Sequence, residues 1–454
     1  MTERVLVIQM AKLGDFIQST PLLLNIRRRW PRARLYLAAG EKSVLEAASL
    51  SPLVDEAVAV TADGPPANPG VFEAVFVLNS HVRAAGLALK ADARAHYGPR
   101  LVGGRLQYAE AQRLIMALMV RRELGRLNLA DMWRLLCPDS RPTNLIWPRP
   151  EQKAGGAGRA GPEGLKIGFQ LGCRNHLRRW PAERFADFAA HLTAMLPSPA
   201  GFTPVILGGA DEKSIGARFT ALTEGRVKKP LNLMGQTDLA ALGQALAGLD
   251  MLITADTGVM HLAAAVGTPV LAIFFGPAFG PETGPYGQGH IIYQTMAACA
   301  PCREGAGCRR RQCLETPDPL IAARLARALL RPDEPPVPLL LPPRHRVWRT
   351  FSDGFGQNLA VEGQPELDVN ELTALAAAEA VRAALKPGYM TDPEVLRRVL
   401  KGFRKGPEAP DSSAAAAFWR QVLPAAFKDS PAAADKFIAD ATAAASLIIK
   451  EFYA

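Results

Sequence analysis

Cysteine is scarce in this chain: six residues in 454. That excludes a small disulfide-stapled scaffold. The first residues, "MTERVLVIQMAKLGDF", lack a basic segment followed by a long apolar run, so they read as a first strand rather than a secretion signal. A reducing, cytoplasmic setting is the expectation. Cys137 and Cys173 stand alone and read as small buried apolar residues. The loop after the first strand, "AKLGD", carries neither G-x-G-x-x-G nor G-x-x-x-x-G-K-[ST], so it is neither a dinucleotide fingerprint nor a P-loop. No Asp-x-Asp triplet occurs, which removes a common carboxylate anchor for a metal-bound nucleotide. One long run lacks charged side chains, the 19 residues from Leu262 to Gly280. A membrane span needs about 20 apolar residues that stay helical. Here Gly267-Thr268-Pro269 cuts the run and Gly276-Pro277 ends it, which reads as helix, tight turn and buried strand.

What is present is ordinary for a globular protein: 48% hydrophobic and 21% charged residues, with a formal net charge of +10. The positive balance favours anionic partners without choosing among nucleotides, phosphorylated glycans, membrane surfaces and nucleic acid, and it fits a plain solvated basic surface equally well. Apolar strands alternate with helices. "RVLVIQM", "ARLYLAAG" and "EAVFVLN" are strands in the first part; "LKIGFQLG", "FTPVILGG", "MLITA" and "PVLAIFFG" are strands in the second. Helices are expected over "FIQSTPLLLNIRRRW", "SVLEAASL", residues 110–137, "PAERFADFAAHLTAML", "DEKSIGARFTAL", "DLAALGQALAGL" and "VMHLAAAV". The alternation predicts α/β architecture with parallel, doubly wound sheets. The Pro/Gly/Ala-rich stretch near 148–164 divides two such domains, placed at 1–150 and 165–330 with a linker at 151–164. A second linker, 331–344, holds six prolines. The Ala-rich remainder, 345–454, reads as a helical appendage without evident chemistry.

Two loops combine residue types that suit a reaction. Asp256, Thr257 and Gly258 follow the strand "MLITA" and open a helix whose first turn carries His261. Ligands of open α/β sheets sit at the carboxyl ends of strands, and a helix N-terminus attracts a diphosphate. Plain helix caps and a satisfied interior histidine explain the same residues. Lys12, Gly14 and Asp15 lie between the first strand and first helix, where an Asp serves either as a cap or as a general base.

The segments "QMAKLGDFIQSTPLL", "RRWPAERFADFAAHL", "VILGGADE" and "ITADTGVMHLAAAVGTPVLAIFFGP" together resemble glycosyltransferase family 9, the ADP-heptose:lipopolysaccharide heptosyltransferases, in order over residues 4–330. The resemblance implies GT-B architecture, with two Rossmann-like domains and a cleft between them, and inverting transfer with no metal in catalysis. It implies a nucleotide-sugar donor, ADP-heptose foremost, and a lipopolysaccharide-core or related glycan acceptor. It also implies cytoplasmic placement with peripheral contact at the inner membrane. By position, Asp15 matches the family's catalytic base. Arg178 matches a lysine that neutralises the donor phosphates, here changed from a point charge to a planar fork. Asp256, Thr257, Gly258 and His261 match the donor-binding block, with Lys12 and Gly14 on the first loop. Glu212 matches loosely an acidic residue near the donor ribose.

"CAPCREGAGCRRRQCLE" spaces Cys299, Cys302, Cys308 and Cys313 as C-x2-C-x5-C-x4-C, which suits a structural zinc or iron ion; free thiols or adventitious disulfides are the plain alternative. Protein-modifying relatives use such a group to bind iron. Arg303, Arg309, Arg310 and Arg311 interleave it. Two other readings stand beside the glycan transferase: a heptosyltransferase acting on a protein, and a non-catalytic protein binding anionic surfaces or nucleic acid. Against the last, the basic residues are spread along the chain and form no recognised nucleic-acid module, so no nucleic-acid partner is expected.

Overall fold

A computed structural model describes residues 3–60, 70–109, 126–148, 164–196, 201–297, 299–302, 308–309, 311–334, 339, 341–362, 369–385, 394, 399 and 431–453. The chain divides into two compact units. One comprises Met1–Ile146, Asp353–Asn358 and Glu366–Ala454; the other comprises Trp147–Ser352 and Leu359–Pro365.

The first unit is built on a five-stranded sheet in the order β3-β2-β1-β4-β5. Its elements run β1 (Arg4–Gln9), α1 (Leu13–Arg29), β2 (Arg34–Ala39), α2 (Lys42–Leu50), β3 (Glu56–Ala59), β4 (Phe72–Val77), α3 (Val82–Leu89) and β5 (Ala93–Tyr97). All the pairs are parallel. A hairpin of β6 (Arg100–Val102) and β7 (Arg105–Gln107) and a short helix α4 (Leu129–Arg134) follow. The strands are apolar on both faces because helices cover both: Val5, Val7, Ile8, Leu37, Val75 and Phe76 are all buried.

The second unit continues with β8 (Leu165–Gln170), α5 (Ala182–Met195), β9 (Phe202–Leu207), α6 (Lys213–Thr223), β10 (Leu231–Asn232), α7 (Leu239–Ala247) and β11 (Met251–Thr254). It proceeds with α8 (Gly258–Val266), β12 (Val270–Phe274), α9 (Gly280–Thr283), β13 (Ile291–Thr295), α10 (Pro319–Leu330), β14 (His345–Ser352) and β15 (Gln357–Glu362). Its sheet order is β10-β9-β8-β11-β12-β13-β14-β15, with β14 antiparallel to β13. The core centres on Phe169, whose ring meets Phe185, Phe188, Phe202 and Phe219 at centroid distances of 6.4, 5.8, 6.2 and 5.1 Å. The uncharged run 262–280 is indeed helix, turn and strand. Helix α8 ends on Gly267 with a left-handed φ of 88°, and β12 is buried throughout. No described helix is long and apolar enough to cross a membrane.

The stretch after 344 departs from the helical reading. Residues 345–352 and 357–362 are the strands β14 and β15, while α11 (Val369–Leu385) and α12 (Pro431–Tyr453) are helical and pack on each other. The turn between the two strands belongs to the first unit. There Asp131 and Arg134, both fully buried, form an ion pair at 3.0 Å. Asp131 Oδ2 accepts from Gln357 N at 2.8 Å, and Arg382 Nη1 pairs with Asp353 Oδ2 at 2.7 Å. The expected helix over 110–137 is observed only at α4. Its part 110–125, most of the linker 151–164, part of the linker 331–344, and the helical stretch "AAAAFWRQVL" lie outside the described residues.

Candidate active site

Each sheet reverses its strand order once, between β1 and β4 in the first unit and between β8 and β11 in the second. At such a switch point the flanking loops diverge and leave a crevice at the carboxyl ends of the strands. The structure assigns Lys12, Gly14 and Asp15 to the first crevice and Arg178, Glu212, Asp256, Thr257, Gly258 and His261 to loops at the carboxyl ends of strands in the second unit.

In the second unit, Thr257 caps α8 and its hydroxyl accepts from Met260 N at 3.3 Å. The cap leaves the remaining N–H groups of the first turn facing outward, with the positive end of the helix dipole. Beside it, Arg178 Nη1 pairs with Asp256 Oδ2 at 2.6 Å, and Thr283 Oγ1 donates to the same oxygen at 3.4 Å. Asp256 is 6% exposed in its side chain and Arg178 21%, so the carboxylate is enclosed and the arginine side chain less so. Trp180 sets the loop that carries Arg178. Its ring is wholly buried and stands edge-on to Phe185 at 4.9 Å. Arg179 Nη2 donates to Cys173 O at 2.8 Å and ties the loop to the end of β8.

Glu212 reaches back over the sheet. Its Oε2 accepts from Gly209 N at 3.0 Å, and its carboxyl carbon lies 1.9 Å from where a Cβ on Gly172 would stand. Only glycine permits that approach. The carboxylate therefore rests at the carboxyl end of β8, beside the β8–β11 switch point. His261 is buried, and burial lowers its imidazole to about 3, so the ring is neutral near pH 7. Its Nδ1 has no hydrogen-bond partner among the described residues.

The first crevice is lined with amides and a carboxylate. Asn79 Nδ2 donates to Gln9 Oε1 at 2.8 Å, which also accepts from Ala11 N at 3.1 Å. Asn79 Oδ1 accepts from Met10 N, so the β1 and β4 loops are bridged. Asp15 lies in the first turn of α1 and its Oδ2 accepts from Lys12 N at 3.1 Å. The Lys12 side chain is exposed and Gly14 is half-buried. His81 is a cap, its Nδ1 accepting from Ala84 N at 3.1 Å.

The four clustered thiols line one cavity of about 660 Å³, together with Leu177, Gly276, Thr295 and His345. Burial and the neighbouring thiols raise Cys302 and Cys313 above the usual thiol range. Gly276 is wedged between this cluster and the Arg178 loop. A Cβ there would meet Leu177 O at 2.7 Å and Cys313 Sγ at 4.0 Å, and Cys302 N donates to Gly276 O at 3.0 Å. Among the described residues, no three potential ligands stand close enough together to hold a metal ion in this arrangement.

Thr283, Arg179, Gly172 and the Gln9–Asn79 bridge escaped the sequence reading. Thr283 lies 27 residues beyond Asp256, and only the fold brings it there. Asn79 had a signal, as the polar residue closing an apolar strand.

The profile of glycosyltransferase family 9 (heptosyltransferase) matches residues 71–310. A lipooligosaccharide heptosyltransferase 2 of Haemophilus influenzae is 31% identical over 121 residues, which is 26% of this chain and 33% of that protein. The chain thus spans about a third of the length of that relative. Among solved structures, a glycosyltransferase family 9 protein from Veillonella parvula superposes with a TM-score of 0.55 at 23% identity, covering 72% of this chain and 97% of the other. The ADP-heptose LPS heptosyltransferase II of Escherichia coli superposes at 0.50 and 20% identity, covering 73% and 100%. These likenesses show the GT-B fold. With the profile spanning more than half of its length, the chain belongs to glycosyltransferase family 9, the heptosyltransferase family.

Proposed function

We propose that this protein is an inverting glycosyltransferase that moves heptose from ADP-heptose to a lipopolysaccharide core or related glycan, with no metal in the chemical step. The observation that carries the donor half is the Arg178–Asp256 pair beside the capped N-terminus of α8, at the switch point of the second sheet. A bare carboxylate would repel a diphosphate. Paired with Arg178 and enclosed, Asp256 instead orients the guanidinium, which would meet the anion from this loop. As the bond from anomeric carbon to phosphate oxygen breaks, negative charge grows on the leaving diphosphate. Arg178 and the α8 N–H groups stabilise it. The missing Asp-x-Asp triplet is consistent with an arginine and a helix terminus taking a metal's place. Neutral His261 offers a hydrogen bond to the bound donor, and Glu212 takes ribose hydroxyls.

Asp15 is the base. It accepts the proton of the acceptor hydroxyl as that oxygen attacks the anomeric carbon, and a single displacement inverts the configuration. Lys12 and Gly14 border its loop. The enzyme acts in the cytoplasm with peripheral contact at the inner membrane.

Cys299, Cys302, Cys308 and Cys313 would hold a structural zinc or iron ion, a soft-donor set suited to either. The shared cavity supports this, and because no three of the described thiols stand within ligand reach, binding would have to draw them together. The ion would brace Gly276 and, through it, the loop of Arg178. Elemental analysis of protein purified without chelator tests it; less than about a tenth of an equivalent of both metals rules it out.

The functional test is mass-spectrometric product analysis with a panel of nucleotide-sugars and a lipopolysaccharide-core acceptor. A heptosylated acceptor of inverted configuration is expected with ADP-heptose. Transfer from a different donor alone, or a retained configuration, contradicts the proposal.

A further inference from the structure

The β6–β7 hairpin packs on helix α3 in the first unit through Leu101, which leaves Arg100, Val102 and Arg105 on the side of the hairpin turned away from the helix. Val82 and Leu89, seven residues apart, lie on the same side of α3 and are 54% and 63% exposed. Gly86 lies between them on that side, and Leu101 of the hairpin packs there, its Cδ2 3.9 Å from where a Cβ would stand. The hairpin turns through Gly103 and Gly104, at φ values of 55° and 76°, a tight turn that glycine favours. Beside the turn stands Val102, 50% exposed. These apolar residues are interleaved with four exposed cations: Arg83, Lys90, Arg100 and Arg105. None of the four has an ion pair among the described residues; Arg100 donates to the carbonyl of His96. The segments 80–91 and 98–107 contain no Asp or Glu.

Cations without counter-ions around separate protruding apolar side chains do not make the core of a protein–protein interface, where charge is depleted. They match a lipid headgroup layer, where apolar side chains enter the acyl boundary and Arg and Lys meet phosphates. We infer that the α3/β6–β7 face docks on an anionic lipid bilayer, with Val82, Leu89 and Val102 inserted and Arg83, Lys90, Arg100 and Arg105 on the headgroups. Four such cations near an anionic surface raise partitioning by roughly 1,000-fold. This gives the peripheral membrane contact proposed above a particular surface. It does not rest on the donor site, because binding is read without nucleotide or turnover.

The test is sedimentation of the full chain with phosphatidylcholine vesicles, with and without phosphatidylglycerol. Binding is expected only with phosphatidylglycerol present and should weaken as salt rises. The triple reversal R83E/R100E/R105E should lower the partition coefficient by about 100-fold or more, with its circular dichroism unchanged. The control K228E/K229E, exposed in the other unit, should not lower it. A V102W variant keeps the idea testable should the reversal misfold: its emission should shift to the blue with anionic vesicles alone. Equal binding to neutral vesicles, no binding, or equal loss in the control overturns the inference. So does a V102W shift that follows protein concentration without vesicles, which would mark a self-association surface, or binding to duplex DNA but not to vesicles.

Discussion

The two switch points are built on the same scaffold and carry opposite chemistry. Between β1 and β4 the polar groups are neutral amides, Gln9 and Asn79, bridging the loops next to the Asp15 carboxylate. Between β8 and β11 they are a cation and its enclosed counter-ion, Arg178 and Asp256, beside a helix N-terminus. A parallel sheet supplies the switch point in both units, and on the proposed reading a few loop side chains suit one to a hydroxyl awaiting deprotonation and the other to a diphosphate. The contrast teaches that one scaffold can present differently charged loops at equivalent places, so function has to be argued from the side chains rather than from the fold.

Breaking the contrast from the second unit should have the largest effects. Trp180→Ala empties a fully buried site under the Arg178 loop and should cost about 3–5 kcal/mol in urea unfolding, with weakened nucleotide binding in the folded fraction. Arg178→Gln removes the cation and should lower turnover by roughly 100- to 1,000-fold, about 3–4 kcal/mol of transition-state stabilisation, and should also lower the melting temperature, because the enclosed Asp256 carboxylate loses its charge partner. pH sharpens the comparison. His261 and His290 are held neutral by burial, near 3 and 4. Their folded-state values lie below the unfolded value, so the unfolded chain binds more protons as pH falls. Stability is full above about pH 6.5 and declines below it, by about 2 kcal/mol per histidine at pH 5. Thermal melts from pH 7.5 to 5 check this, and His261→Gln should flatten the decline. Thr257→Ala, which loses the α8 cap and the hydroxyl contact with Thr254, should cost about 1 kcal/mol in the same melts.

Much of the scaffold was legible because buried parallel strands are apolar runs. "RVLVIQM", "MLITA" and "PVLAIFF" declared themselves, and Gly267 marked the turn after α8. Strand β14 was not, because "HRVWRTFS" interleaves arginines with its buried positions after a proline-rich stretch. In the candidate site, Asp256 and Thr257 were visible as a polar junction between strand and helix. The pairing of Arg178 with Asp256 was not. The residues stand 78 positions apart, and only the side-by-side packing of β8 and β11 joins their loops. The arginine itself was found through a motif, while Trp180 beneath it gave no sign that it sets the loop.

The central claim is that the two crevices hold separate tasks. Calorimetric titration of ADP into the wild type, Arg178→Gln and Asp15→Asn, alongside turnover of each, tests it most directly. Arg178→Gln should weaken ADP binding by about 10-fold or more. Asp15→Asn should leave the ADP affinity within about 2-fold while lowering turnover by roughly 100- to 10,000-fold. Unchanged ADP affinity in Arg178→Gln, or near-native turnover in Asp15→Asn, would contradict the account.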